Sequence, residues 1–151
     1  MIYTSRYSNP ELKSGMYTVV GITRGAPQFR LGYALAGNIM EIAPPGWLFN
    51  EYDRKRFTER YFHNIDRIGV SAIKSILTRY ESLGKPVVLC CYEDVRKPGE
   101  WCHRLVFAEW WEKNTGEHIE ELNDPSPNKW LKKQVVKEME DEPTDEQMKM
   151  W

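Results

Sequence analysis

A chain of 151 residues with 41% hydrophobic and 28% charged residues is large enough for one domain with a real core and too short for two of ordinary size. Three cysteines, two of them adjacent, do not look like a disulfide framework. No basic-then-apolar leader opens the chain and no apolar run approaches a membrane span, so a cytoplasmic protein without a membrane partner is expected. The formal net charge of -1 divides unevenly: residues 1–136 carry +3 and residues 137–151 carry -4, so the body tolerates an anionic partner without demanding one.

Ile2-Tyr3-Thr4 reads as a first strand, closed by the polar Ser5-Arg6, and Met16 to Ile22 as a second, closed by Thr23-Arg24-Gly25. Residues 28–52 are less regular. A short strand is expected at Asn38 to Ile42, then a Pro44-Pro45-Gly46 loop whose Trp47, Leu48 and Phe49 anchor on the core rather than stack on a ligand. From Asp53, a plausible cap, Phe57, Tyr61, Ile65 and Ile68 recur at helical spacing, flanked by Arg56, Arg60 and Arg67. That basic stripe suits either a phosphate-tracking face or a solvated face paired with Glu59 and Asp66, and the second reading is preferred. Ser71 to Leu83 reads as a helix with Ile73, Ile76, Leu77, Tyr80 and Leu83 inward and Gly84 at its end.

Pro86 to Cys91 is an almost wholly apolar run, as in a central strand of a parallel sheet buried on both faces. A polar loop follows, and Cys102 to about Lys113 reads as a helix with Val106, Phe107, Trp110 and Trp111 inward; His118 to Leu122 reads as an edge strand. The alternation predicts an α/β three-layer sandwich around a mostly parallel, Rossmann-like sheet, with a single domain at 1–124, a docking helix at 125–140 and an acidic flexible tail at 141–151.

In such a sheet ligands bind beyond the carboxyl ends of the strands. Arg6, Arg24 and Glu93 leave three of those ends, and Cys102-His103-Arg104 opens a helix there. The expectation is a shared cationic pocket in which Arg24, Arg104 and Arg6 bind an anion and Cys102, His103 and Glu93 are the catalytic candidates. Cys102 would be activated as a thiolate at a helix N-terminus, His103 and Glu93 would move protons, and Arg104 would fork onto phosphate or carboxylate. The plainer alternative is a structural ion pair between Glu93 and Arg104, with Cys90 and Cys91 as core thiols. A metal cluster of Cys90, Cys91, Cys102 and His103 is not expected: no C-x-x-C pair is present, and adjacent strand cysteines point to opposite faces, so only one of Cys90 and Cys91 can join.

The segments IYTSRYSN, VVGITRGAP and LCCYEDVRKPGEWCHR together resemble the small prokaryotic and phage proteins grouped as domain of unknown function 488, over roughly residues 2 to 122. The resemblance implies an α/β fold and a site at Arg24, Cys90, Glu93, Cys102, His103 and Arg104, but no reaction or cofactor. Gly21 stands where many relatives have an acid. The function expected is binding of, or action on, a phosphorylated, nucleotide or nucleic-acid ligand; the alternative is a non-catalytic nucleic-acid-binding or protein-interaction module, against which the modest +3 of the body counts.

Overall fold

The computed structural model describes residues 1–130; the acidic tail and nearly all of the apolar part of the docking helix lie outside the described residues. Strand β4 (Val87–Cys91) is its axis. All five of its residues are buried, as its continuous apolar run requires, because β4 has neighbours on both edges and layers on both faces. On one edge β1 (Ile2–Arg6) pairs in parallel, Ile2 with Val87 through Arg6 with Cys91. On the other, β2 (Thr18–Gly21) pairs in parallel, Thr18 with Val87 through Gly21 with Cys90. The two-residue strands β3 (Gly37–Asn38), beside β2, and β5 (Glu120–Glu121), beside β1, complete a five-stranded parallel sheet of order β3-β2-β4-β1-β5.

Helices α1 (Arg54–Ile68), α2 (Val70–Glu81) and α3 (His103–Thr115) follow from local signals. Asp53 caps α1 by accepting the Arg56 amide at 3.0 Å. Gly69, at φ +92°, separates α1 from α2, and Gly116, at φ +77°, ends α3 by donating its amide to the Glu112 carbonyl. One face of the sheet, with Val20, Ile22, Val87 and Leu89, packs on Phe57, Tyr61 and Ile65 of α1, Ile73 and Leu77 of α2, and Val106, Phe107 and Trp110 of α3. Truncating a buried aromatic such as Trp110 to Ala typically costs about 3–5 kcal/mol. Its indole N–H also donates to Asp66 Oδ1 at 2.8 Å, which joins α3 to α1.

The opposite face, with Val19, Val88 and Cys90, is covered by Leu12 of a short 3-10 helix (Pro10–Ser14) and by Leu31, Tyr33 and Leu35. The fold is therefore α/β with a parallel sheet. Among the described residues its three α-helices share one face, and the other side carries a 3-10 turn and a loop in place of a helical third layer.

Some expected boundaries move. Ile39 to Ile42 leaves the sheet after Asn38 and turns, the Ile42 and Ala43 amides both reaching the Ile39 carbonyl, which brings Ile39 and Ile42 inward together. Leu83 lies past the end of α2 and is exposed, as is Met16 ahead of β2. Of Trp47, Leu48 and Phe49 only Leu48 is buried. Arg56 and Arg60 sit opposite Asp53 and Glu51 rather than Glu59, and Asp66 is taken by Trp110. No helix among the described residues is long and apolar enough to cross a membrane.

Candidate functional site

Adjacent parallel strands β2 and β4 release their chains at the same edge of the sheet, Thr23-Arg24-Gly25 from one and Tyr92-Glu93 from the other. The loop after β4 returns through Trp101 and Cys102 to start α3. Between these segments and the loop before α1 lies a cavity of about 720 Å³. Its floor carries Cys102, His103, Glu93 and Thr23, and its walls carry Phe49, Tyr52, Tyr92 and Trp101, with Arg24 at one side. Tyr52 and Phe49 are exposed, while Trp101 is braced edge-on against Phe57 with ring centroids 4.9 Å apart.

The Arg24 loop is held from beneath. Thr23 Oγ1 donates to the Gly25 carbonyl at 2.9 Å, the Tyr92 hydroxyl donates to the same carbonyl at 2.8 Å, and buried Tyr7 shares a 2.8 Å hydrogen bond with Thr23 Oγ1. Burial pushes the Tyr7 phenol up to about 12, so it stays a neutral partner. Arg24 itself is exposed and forms no ion pair with any described residue, which makes it the cation available to a bound anion. Glu51, Glu93 and Glu100 share the lining, so the cavity is not the strongly cationic pocket expected. Burial raises the Glu93 carboxyl above the usual carboxylate range, against the pull of Arg104.

His103 is oriented by its backbone partner. Its Nε2 lies 2.6 Å from the Ile22 carbonyl oxygen, an atom that only accepts, so Nε2 carries the proton. In the neutral ring Nδ1 then holds a lone pair, directed at Cys102 Sγ 3.6 Å away. Burial lowers the His103 pKa to about 4, and the charge of Arg104 acts in the same direction, so the imidazole is neutral at pH 7. Cys102 stands at the N-cap position of α3 without a side-chain capping bond and is joined by a disulfide to Cys91, the last residue of β4. As a disulfide it is not a nucleophile; that role requires the reduced pair. Cys90, one residue away, points to the other face of the sheet among Tyr7, Leu12 and Val88, where burial drives its pKa far up.

Arg104 takes a different direction from its neighbours. It is fully buried, with Nε 3.0 Å from Glu121 Oε1, Nη2 2.7 Å from Glu121 Oε2 and Nη1 3.1 Å from Cys91 Sγ. The carboxylate it forks onto is Glu121, not Glu93. Arg6 is likewise engaged, its Nε 2.6 Å from Asp124. Arg6 and Arg104 border a separate cavity of about 230 Å³ with Asp94, Arg96, Glu121 and Asp124. The structure thus brings Arg24, Glu93, Cys102 and His103 together and places Arg6 and Arg104 apart from them. Sequence reading passed over Asp94 and Arg96, although their spacing carried a signal: Asp94 accepts the Arg96 amide two residues on, a turn typical of Asp, and also grips its guanidinium at 3.0 Å.

No family model matches the chain, and neither a curated protein nor a solved structure matches it.

Proposed function

We propose that the cavity binds a ligand combining a planar, largely neutral body with a small anionic group, a nucleoside monophosphate being the type. The observation that carries this reading is that one unengaged guanidinium, Arg24, and the aromatic side chains of Phe49, Tyr52 and Trp101 line the same space of ligand size at the strand ends. Aromatic rings stack on a base, and a single arginine forks onto one phosphate. The carboxylates Glu51 and Glu100 on the same lining disfavour a polyphosphate. Cys102 and His103 at the floor, with the raised carboxyl of Glu93, would face the ligand and are the groups positioned to act on it. Kinship with the domain of unknown function 488 family belongs to the same proposal and rests on the LCCYEDVRKPGEWCHR run. The nucleic-acid-module alternative draws less support, because Arg56 and Arg60 of its basic stripe already face acids.

Calorimetric titration with nucleoside monophosphates, the matching nucleosides and inorganic phosphate tests this. Binding of the monophosphate should fall at least tenfold in Arg24→Ala and in Trp101→Ala, while Arg56→Ala leaves it unchanged. Absence of binding by all three ligand types, or loss only in Arg56→Ala, would overturn the reading.

A further inference from the structure

We infer that Cys91, Cys102 and His103, once the two cysteines are reduced, form a three-ligand site for a soft divalent cation, zinc above all. The inference does not depend on which ligand occupies the adjacent cavity, but with a cation bound Cys102 and His103 would hold it and would not act on that ligand themselves. The two cysteine sulfurs, bonded to each other in this structure, and one ring nitrogen lie within 4.8 Å of one another, and they come from two rigid elements, the carboxyl end of β4 and the start of α3.

The histidine is set as a ligand should be. Its Nε2–H is spent on the Ile22 carbonyl, which leaves Nδ1 unprotonated beside the sulfurs. Donation of the distal ring N–H to a backbone carbonyl is the usual way a ligating imidazole is fixed in tautomer and angle.

The spacing of the cysteines points the same way. Their Cα atoms are 7.4 Å apart, beyond the roughly 4.4–6.8 Å that a disulfide ordinarily spans. Two thiolates each about 2.3 Å from a shared tetrahedral zinc hold their sulfurs roughly 3.7 Å apart, and that longer reach suits the wider backbone. Bonded and metal-bound forms exclude each other, so the disulfide is the state from which the site must be released by reduction.

Charge favours the thiolates. Arg104 Nη1 donates to Cys91 Sγ at 3.1 Å, and Cys102 sits at the N-terminus of a 13-residue helix. The Arg104 charge is itself offset by Glu121, so the cation meets two thiolates with a balanced ion pair behind them. A Cys₂His set is soft enough to prefer zinc over magnesium or calcium. Cys102 and His103 also line the large cavity, so the side of the cluster without a protein ligand opens toward it. Cys90 faces the opposite side of the sheet and takes no part.

The test uses the full chain, reduced with a non-chelating phosphine and supplied with Zn²⁺ alone, its retention measured against a chromophoric chelator. Cobalt substitution is read by its thiolate-to-metal absorption. Wild type and Cys90→Ser should each retain one equivalent of zinc and show the sulfur–cobalt band. Cys91→Ser, Cys102→Ser and His103→Ala each remove a direct ligand and should lose affinity by about a hundredfold or more, beyond what loss of an outer-shell partner costs. Because reduced wild type and Cys90→Ser carry the decisive spectra, misfolding of a ligand variant cannot hide the answer. Reduced wild type that holds no zinc or shows no sulfur–cobalt band overturns the inference. Retention lost in Cys90→Ser alone, or preserved in Cys91→Ser, does so too.

Discussion

Arg104 Nη2 and Glu121 Oε2 meet at 2.7 Å, with Arg104 fully buried at the start of α3 and Glu121 on edge strand β5. This pair fastens the edge of the sheet to a helix and leaves the guanidinium no open fork for a ligand. Removing one partner strands a charge. Glu121→Ala should lower unfolding free energy by about 2–4 kcal/mol, somewhat below the range for a fully buried pair because Glu121 is partly exposed; Arg104→Lys keeps the charge but loses the two-point fork and should cost about 1–3 kcal/mol. Urea denaturation measures this. A loss of ligand binding with unchanged stability in Arg104→Lys would mean that the fork serves the cavity after all.

Gly21, at the end of β2, has no room for a side chain. A Cβ there would come within 2.5 Å of both Asn38 Oδ1 and the Tyr7 hydroxyl, the latter part of the support under the Arg24 loop. Gly21→Ala should therefore destabilise by about 1–3 kcal/mol, and Gly21→Asp by more. The expected outcome in thermal unfolding is a clear drop in Tm for Ala. An unchanged Tm would show that Asn38 swings aside freely.

Acid should weaken the second cavity's network at Asp94. The hydrogen bond from Arg96 holds its carboxyl down to about 2, against 3.8 for the free group. Since the folded pKa lies below the unfolded one, the stabilisation is fully present above about pH 4 and disappears as pH falls through 2. Solvent screening keeps it small, about 1 kcal/mol or less. The stability difference between wild type and Asp94→Asn should accordingly shrink between pH 4 and pH 2. A difference that stays constant over that window would remove Asp94 as its source.

Cys90 should remain unlabelled by iodoacetamide in the folded protein whether or not the disulfide is reduced, because it is buried and its thiol strongly resists ionisation. Cys102 is also buried, at 2% exposure, but it borders the cavity, so after reduction it should label faster than Cys90 and without unfolding. Mass spectrometry of the peptides distinguishes the two, and labelling of Cys90 before Cys102 would contradict the arrangement described.

What could be read from the residues was whatever a single element determines. The apolar run of β4, the Asp53 cap and the inward stripes of α1 and α3 are local patterns, and each is present. The grouping of Cys102, His103 and Arg104 went further than local pattern allows. Consecutive helical residues are about 100° apart around the axis, so Arg104 turns to Glu121 while His103 turns to Ile22. Strand alternation limited the cluster to one of Cys90 and Cys91, but only the fold decides that Cys91 faces α3. The partners Glu121 and Asp124 lie well beyond the motifs in the chain, and nothing near Arg104 or Arg6 announces them.

The position of β4 between β1 and β2 also sets an order of events during synthesis. The two earlier strands are not neighbours in the folded sheet, and Ile2 waits for Val87 to take its native partner. At roughly 5–20 residues per second, the N-terminal strand spends about 4–17 s without its partner as the ribosome delivers the intervening chain. During that interval its apolar face is open to chaperones and to other nascent chains.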